Sequence, residues 1–254
     1  MTHTSVPSWA QLPWLGFDTE TTGVNPHSDR LVTAALVLRA DGAAATAGSD
    51  VITTWLADPE VVIPDSAAQI HGITTQTAQT HGRPIREVLE ELATSLASHM
   101  GRGYPVVAFN GSFDFTLLEE ELRRHELPTL SERLGLSEPA PIIDPLVLDR
   151  HLDRYRKGKK QLSLMASAYG VPVSKNAHTA EYDVVMTLDV LAAIARKFPD
   201  CAAQSCTQIH AFQKEAHAAW AENFENFLRS RGRETHIDRE WPQITPRGRS
   251  NDQE

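Results

Sequence analysis

Trp14-Leu15-Gly16-Phe17-Asp18-Thr19-Glu20-Thr21-Thr22-Gly23 is a mostly apolar lead running into two carboxylates and then a Thr-Thr-Gly turn. Read as a strand, its period of two puts Asp18 and Glu20 on one face and Phe17 and Thr19 on the other. Two like charges side by side at the end of an apolar strand repel each other unless a cation sits between them. Hard divalent cations take carboxylate oxygens, so the pattern predicts a Mg²⁺ or Mn²⁺ site. Asp-x-Glu alone is common; the rest of the chain has to supply further ligands.

The strand also sets the fold. Arg30 to Arg39 and Asp50 to Leu56 read as two further strands, joined by a turn around Asp41-Gly42, and together the three suggest an antiparallel meander. Pro59 to Pro64 reads as a loop and Ser66 to Thr75 as a compact, turn-rich stretch. Ile85 to Met100 is an amphipathic helix with Ile85, Val88, Leu89, Leu92 and Leu96 on one stripe. The short apolar runs Pro105–Phe109 and Ile142–Asp144 read as parallel strands, each turning into a helix: one from about Phe113 to His125, the other starting near Pro145. Gln161 to Tyr169 and Glu181 to Lys197 are helical. Ile209, Phe212, Ala216, Trp220, Phe224 and Phe227 keep helical spacing, so a C-terminal helix should lay that stripe on the body. The chain therefore predicts an α/β fold: a mixed sheet, antiparallel meander plus parallel strands, covered by helices, with a C-terminal helical extension. The expected divisions are a main domain over 10–198, an amphipathic helix over 199–233 and a flexible tail over 234–254.

Composition limits the alternatives. The 254 residues are 41% hydrophobic and 22% charged, ordinary for a globular protein. No apolar run approaches a membrane span and Met1 to Trp9 lacks signal-peptide zones, so the chain reads as cytoplasmic, with no membrane partner. Cys201 and Cys206 sit too close along one helical segment to face each other, which argues against a disulfide. A net charge of −9 argues against a protein that coats nucleic acid but not against one that grips a strand locally. Positive charge gathers at Arg150, Arg154, Arg156, Lys157, Lys159 and Lys160, and again at Arg229, Arg231, Arg233, Arg239, Arg247 and Arg249. The second group reads as solvated surface.

Two later stretches add acids. In Asn110-Gly111-Ser112-Phe113-Asp114 a buried strand becomes a helix, placing Asp114 where helix N–H groups favour negative charge. Strand ends of this kind are where open α/β sheets hold ligands. In His178-Thr179-Ala180-Glu181-Tyr182-Asp183, Asp183 falls in the first turns of a helix and His178 on the loop before it, one fixed acid and one mobile imidazole. Asp144 and Asp149 are given no chemistry.

The order Asp-x-Glu, Asn-x-x-x-Asp, His-x-x-x-x-Asp resembles the three motifs of the DEDDh exonuclease family, which includes the epsilon proofreading subunit of bacterial replicative DNA polymerase. Ile70-His71-Gly72-Ile73-Thr74 resembles a loop of its proofreading branch, and the likeness runs from about Trp14 to Phe198. The resemblance implies a ribonuclease H-like fold and a 3′–5′ exonuclease that frees nucleoside 5′-monophosphates from DNA. It implies that Asp18, Glu20, Asp114 and Asp183 bind two divalent cations, Mg²⁺ or Mn²⁺, with His178 as general base. By the same resemblance Thr19 and Thr22 would hold the terminal 3′-hydroxyl, Ile70 and His71 would pack on the last base, and Asn110 and Phe113 would line the next nucleotide. The partner implied is a single-stranded or frayed DNA 3′ end, in proofreading or repair. An exoribonuclease of the same mechanism and a non-catalytic polymerase-associated binding protein are the alternatives. The C-terminal helix leaves room for a polymerase partner or a homodimer. Gln161-Leu162-Ser163-Leu164-Met165 resembles a sliding-clamp-binding peptide, but its place between the motifs favours a helix whose Leu162, Leu164 and Met165 are core.

Overall fold

The structure, a computed structural model, describes residues 6–46, 48–173 and 179–244. Its centre is β1 (Trp14–Thr21), flanked by β2 (Leu31–Arg39) and then β3 (Val51–Asp58), both antiparallel as the meander reading requires. Two short helices follow, α1 (Asp65–His71) and α2 (Thr75–His81), then the two-residue β4 (Arg83–Pro84) and the long α3 (Ile85–Met100). After β5 (Val106–Val107) come α4 (Ser112–Arg124) and α5 (Leu130–Leu134), then β6 (Ile142–Ile143) and α6 (Pro145–Leu152). α7 (Leu162–Ala168), α8 (Ala180–Lys197), α9 (Pro199–Ala202) and α10 (Cys206–Ser230) complete the order. The sheet runs β4-β3-β2-β1-β5-β6, with β5 and β6 parallel to β1.

Helices cover both faces. One core packs Leu15, Phe17, Leu36 and Trp55 of the sheet against the apolar stripe of α3 and against Phe115, Leu117 and Leu118 of α4. The other packs Trp14, Ala35 and Val37 against Val184, Leu188 and Leu191 of α8. Gly16 sets how closely α8 approaches: a Cβ there would lie 2.3 Å from Val184 Cγ1 and 3.2 Å from Leu188, so only a glycine lets the helix rest on β1. Phe17 meets Phe115 edge to face at 5.5 Å, tying β1 to α4 from the opposite side. These two contacts fix the helices that carry Asp183 and Asp114 relative to Asp18.

Four sequence expectations change. The turn-rich stretch around 66–75 is two short helices: Gly72 ends α1 in the left-handed region at φ 78°, and the Thr74 hydroxyl caps α2 by accepting from Thr77 N. In α7, Met165 is buried as expected, but Leu164 is 45% exposed and is not core. The C-terminal stripe divides: Ile209 and Ala216 are buried on the body, whereas Phe224 and Phe227 face outward. A loose tail from 234 was expected, yet Trp241 is buried and Ile244 N donates to Thr116 Oγ1 at 2.9 Å, so the described part, to 244, lies against α4. Cys201 and Cys206 are free, on separate helices, and burial pushes their thiols up to about 11 and about 12. Among the described residues no helix is long and apolar enough to cross a membrane.

α10 is joined to the sheet rather than appended to it. The His210 ring accepts from Ile142 N at 3.1 Å, while the Gln213 amide accepts from Asp144 N at 2.7 Å and donates to Ile142 O at 3.0 Å. The open edge of β6 is thereby satisfied by side chains instead of by another strand.

Candidate active site

Asp18 and Glu20 project from the carboxyl end of β1, where the side-chain alternation leaves both partly exposed between buried Phe17, Thr19 and Thr21. Asp114 enters from the first turn of α4 and Asp183 from the first turn of α8. Burial is the largest influence on Asp18, followed by the carboxylates of Asp114, Glu20 and Asp183, and together they hold its pKa well above the ordinary range. Burial, reinforced by Asp183, raises Glu20 to about 7. Burial raises Asp114 to about 7 as well, although the Thr19 hydroxyl opposes the shift. The four acids named from sequence therefore act on one another across one place in the fold.

Thr19 orders this group. Its N–H and its hydroxyl both donate to Asp114 Oδ1, at 3.1 and 2.7 Å, so the inward face of β1 positions the acid of α4. Thr22, by contrast, is occupied within its turn: its hydroxyl donates to Asp29 Oδ1 at 2.9 Å and accepts from Arg30 N at 3.0 Å.

Two clefts open beside the strand end. One, of about 490 Å³, is lined by Asp18, Thr19, Asn110, Phe113 and Asp114, with Arg150, Lys160, Gln161 and Leu162 on the far wall. The other, of about 210 Å³, is lined by Glu20, Thr33, Thr54, His71, Thr179 and Glu181. His71 Nδ1 accepts from Ile73 N at 3.1 Å, and burial lowers its pKa despite the Thr21 carbonyl nearby. Ile70 is 71% exposed on α1 and lines neither cleft. His178 lies outside the described residues; its neighbour Thr179 borders the Glu20 cleft.

The donor set fits a hard divalent cation. All four acids offer oxygen, and burial first, then neighbouring carboxylates, raises Asp18 and Glu20, a penalty on charge that a cation would relieve. Among the described residues no three ligand-type side chains lie together closely enough to hold a metal ion as they stand.

Two acids that sequence reading left without a role support the site from behind. Asp144 is buried at the end of β6, where its carboxylate accepts from Asn110 N at 3.1 Å, Gly111 N at 3.0 Å and Leu146 N at 2.9 Å. It caps α6 and pins the loop in which Asn110 adopts the left-handed region at φ 60°. An aspartate directly before a helix-starting proline was the available signal. Replacing Asp144 with Ala should destabilise the protein by roughly 1–3 kcal/mol through its orphaned N–H groups and should lower kcat/KM by loosening Asn110 and Phe113. Urea melts and steady-state kinetics check this, and unchanged values in both would assign the loop's position to other contacts. Asp149, fully buried, accepts from Arg156 through two bonds of 2.9 Å, from Lys160 at 2.5 Å and from Tyr169 at 2.9 Å. The basic stretch is thus folded around an internal acid, which leaves Arg154, Lys157 and Lys159 as its exposed cations.

Carboxylates gathered at the end of a central strand, on a mixed sheet with this order and beside an open cleft, define a nuclease-type hydrolase site. The comparisons agree: the sequence model of the Exonuclease (RNase T) family matches residues 15–191, and the chain belongs to that family as a DEDDh-type exonuclease. PolC-type DNA polymerase III of Clostridium perfringens is 26% identical over 184 residues, covering 72% of this chain and 11% of that polymerase. The Streptococcus thermophilus PolC-type enzyme is 27% identical over 172 residues, 67% of this chain and 10% of that one. Among solved structures, E. coli Exonuclease I in complex with a dT13 oligonucleotide aligns with a TM-score of 0.60 at 20% identity, covering 75% of this chain and 42% of that one. Exonuclease I of Methylocaldum szegediense aligns with a TM-score of 0.60 at 20% identity, covering 85% and 46%. The chain spans about a tenth of those polymerases and less than half of Exonuclease I. The expected ribonuclease H-like exonuclease fold is the fold observed.

Proposed function

We propose that this protein hydrolyses single-stranded DNA from the 3′ end, releasing nucleoside 5′-monophosphates, in replication or repair. The observation that carries the reading is that Asp18 at the end of β1 has Asp114, Glu20 and Asp183 as charged neighbours, with Thr19 of the same strand hydrogen-bonded to Asp114. Those four acids would hold two divalent cations. When bound, such ions supply charge that offsets the reacting phosphodiester and favour ionisation of the attacking water. Thr19 keeps Asp114 in place, and Asn110 and Phe113 form the wall against which the penultimate nucleotide rests. His178, one residue before the cap of α8, accepts the proton of the attacking water near neutral pH. His71, whose pKa burial lowers, packs on the terminal base.

DNA is favoured over RNA because the relatives are DNA polymerases and the structural neighbour was solved with a DNA oligonucleotide. Labelled single-stranded DNA and RNA of one sequence, incubated with and without Mn²⁺, test the choice. Faster loss of DNA supports the reading, and preferential loss of RNA makes the protein an exoribonuclease of the same mechanism. The exposed cations beside the cleft should act on phosphates. Substituting Lys157 and Lys159 together with Ala should flatten the slope of log Kd against log salt by up to about 1.4, the counterion release of two single-strand phosphate contacts. An unchanged slope would leave both as solvated surface.

A further inference from the structure

Half-buried Trp220 and the exposed Phe224 and Phe227 of α10 form a column. Trp220 and Phe224 stack with ring centres 5.4 Å apart and planes 17° from parallel, and Phe224 and Phe227 follow at 6.4 Å and 14°. Phe224 is 37% exposed and Phe227 51%. Core packing does not explain them, because α10 already buries Ile209, Gln213, Ala216, His217 and Ala221 on another face. They also lie beyond residues 15–191, the segment matched by the family.

Each end of the column carries a guanidinium. Arg150 sits 3.6 Å over the Trp220 ring and Arg231 5.4 Å from Phe227. Arg150 also lines the cleft that holds Asp18, Asn110, Phe113 and Asp114. The column therefore begins at the wall of the active-site cleft and runs away from it along α10. The acids beside it are matched: Glu225 pairs with Arg229 and His236, and Glu222 faces Arg239 at 3.9 Å. Arg231 and Arg233 remain exposed, without an acidic partner among the described residues.

We infer that Phe224 and Phe227, held in line by Trp220, are an aromatic rail for the single strand 5′ of the end being cut. Arg150 passes the strand from cleft to rail, and Arg231 and Arg233 hold its phosphates at the far end. This rests on the nuclease reading above and extends it to how much strand the protein holds. Aromatic rings suit any base, because every base offers a π-face, and flanking cations suit a polyanion. A protein partner would find the same rings attractive, but it would not need them to start at the cleft through a shared arginine.

The test is fluorescence anisotropy with labelled oligo(dT) of about four and about twelve nucleotides, a span typical of single-strand sites. Measurement in EDTA prevents cutting. The wild-type protein should bind the longer strand far more tightly. Phe224→Ala/Phe227→Ala should weaken the longer strand by roughly 10-fold or more and the shorter one much less, and Phe224→Trp/Phe227→Trp should restore the length dependence. Both residues are exposed, so the variants should fold, as their melting curves will show. An unchanged length dependence in the double-alanine variant would overturn the rail. So would a change of oligomeric state in ultracentrifugation with DNA binding intact, which would make the column a protein interface. Because binding is read without turnover, a wild-type protein that binds by length but cuts nothing would sink the nuclease reading and leave the rail standing.

Discussion

Asp18→Asn should abolish nucleolytic turnover and, in EDTA above pH 7, should raise the melting temperature. Asp18 lies where burial and the carboxylates of Asp114, Glu20 and Asp183 all penalise its charge. An asparagine keeps the shape and removes the repulsion, at the cost of a metal-binding oxygen with full negative charge. Losing several kcal/mol of transition-state stabilisation amounts to about a 10³-fold drop in kcat or more. The sign of the pH dependence follows from the direction of the shifts. Glu20 and Asp114 titrate near about 7 in the folded chain, above their unfolded values, so the folded state holds its protons more tightly. Their contribution is fully present below about pH 4 and is lost as pH rises through about 7. The metal-free protein should therefore weaken over that window, and Mn²⁺ should restore stability more at pH 8 than at pH 5. The Asp18→Asn variant should show little of the Mn²⁺ response. An equal Mn²⁺ response in variant and wild type would remove Asp18 from the ligands.

His178→Ala should fail differently. The imidazole contributes a proton acceptor and the acids contribute metal affinity, so kcat should fall by roughly 10²–10⁴-fold while the Mn²⁺-induced rise in melting temperature survives. Asp183→Asn, by contrast, should lose both. The wild-type rate should climb with pH through the titration of His178, and that limb should be missing in the alanine variant. Near-normal kcat in His178→Ala at neutral pH would show that another group takes the proton.

What could be read from sequence follows the strength of the local signal. The paired acids of β1, the apolar run of β2 and the stripe of α3 are strong local signals, and the structure has those elements where the sequence puts them, whereas the first four residues of β3 are exposed. α1 and α2 were invisible because each buries little more than one alanine, Ala67 or Ala78, leaving no apolar stripe. β4 is Arg83-Pro84, a pair with no strand character that exists only because β3 offers an edge. Phe224 and Phe227 kept the spacing of a buried stripe, yet the face of α10 that the body covers runs instead through Ala216, Ala221 and Glu225. Asp144 was readable as a cap but not as the anchor of Asn110, since the two are brought together only by β5 and β6 lying side by side.

A metal-dependent attack that starts at a 3′ end leaves a distinct pattern of products. A single-stranded DNA labelled at its 5′ end, incubated with the protein in Mn²⁺ and sampled over time, tests it most directly. The labelled strands should shorten one nucleotide at a time from the 3′ end, with no change in EDTA. Immediate release of the label as a mononucleotide, scattered internal cuts, or equal digestion in EDTA would contradict it.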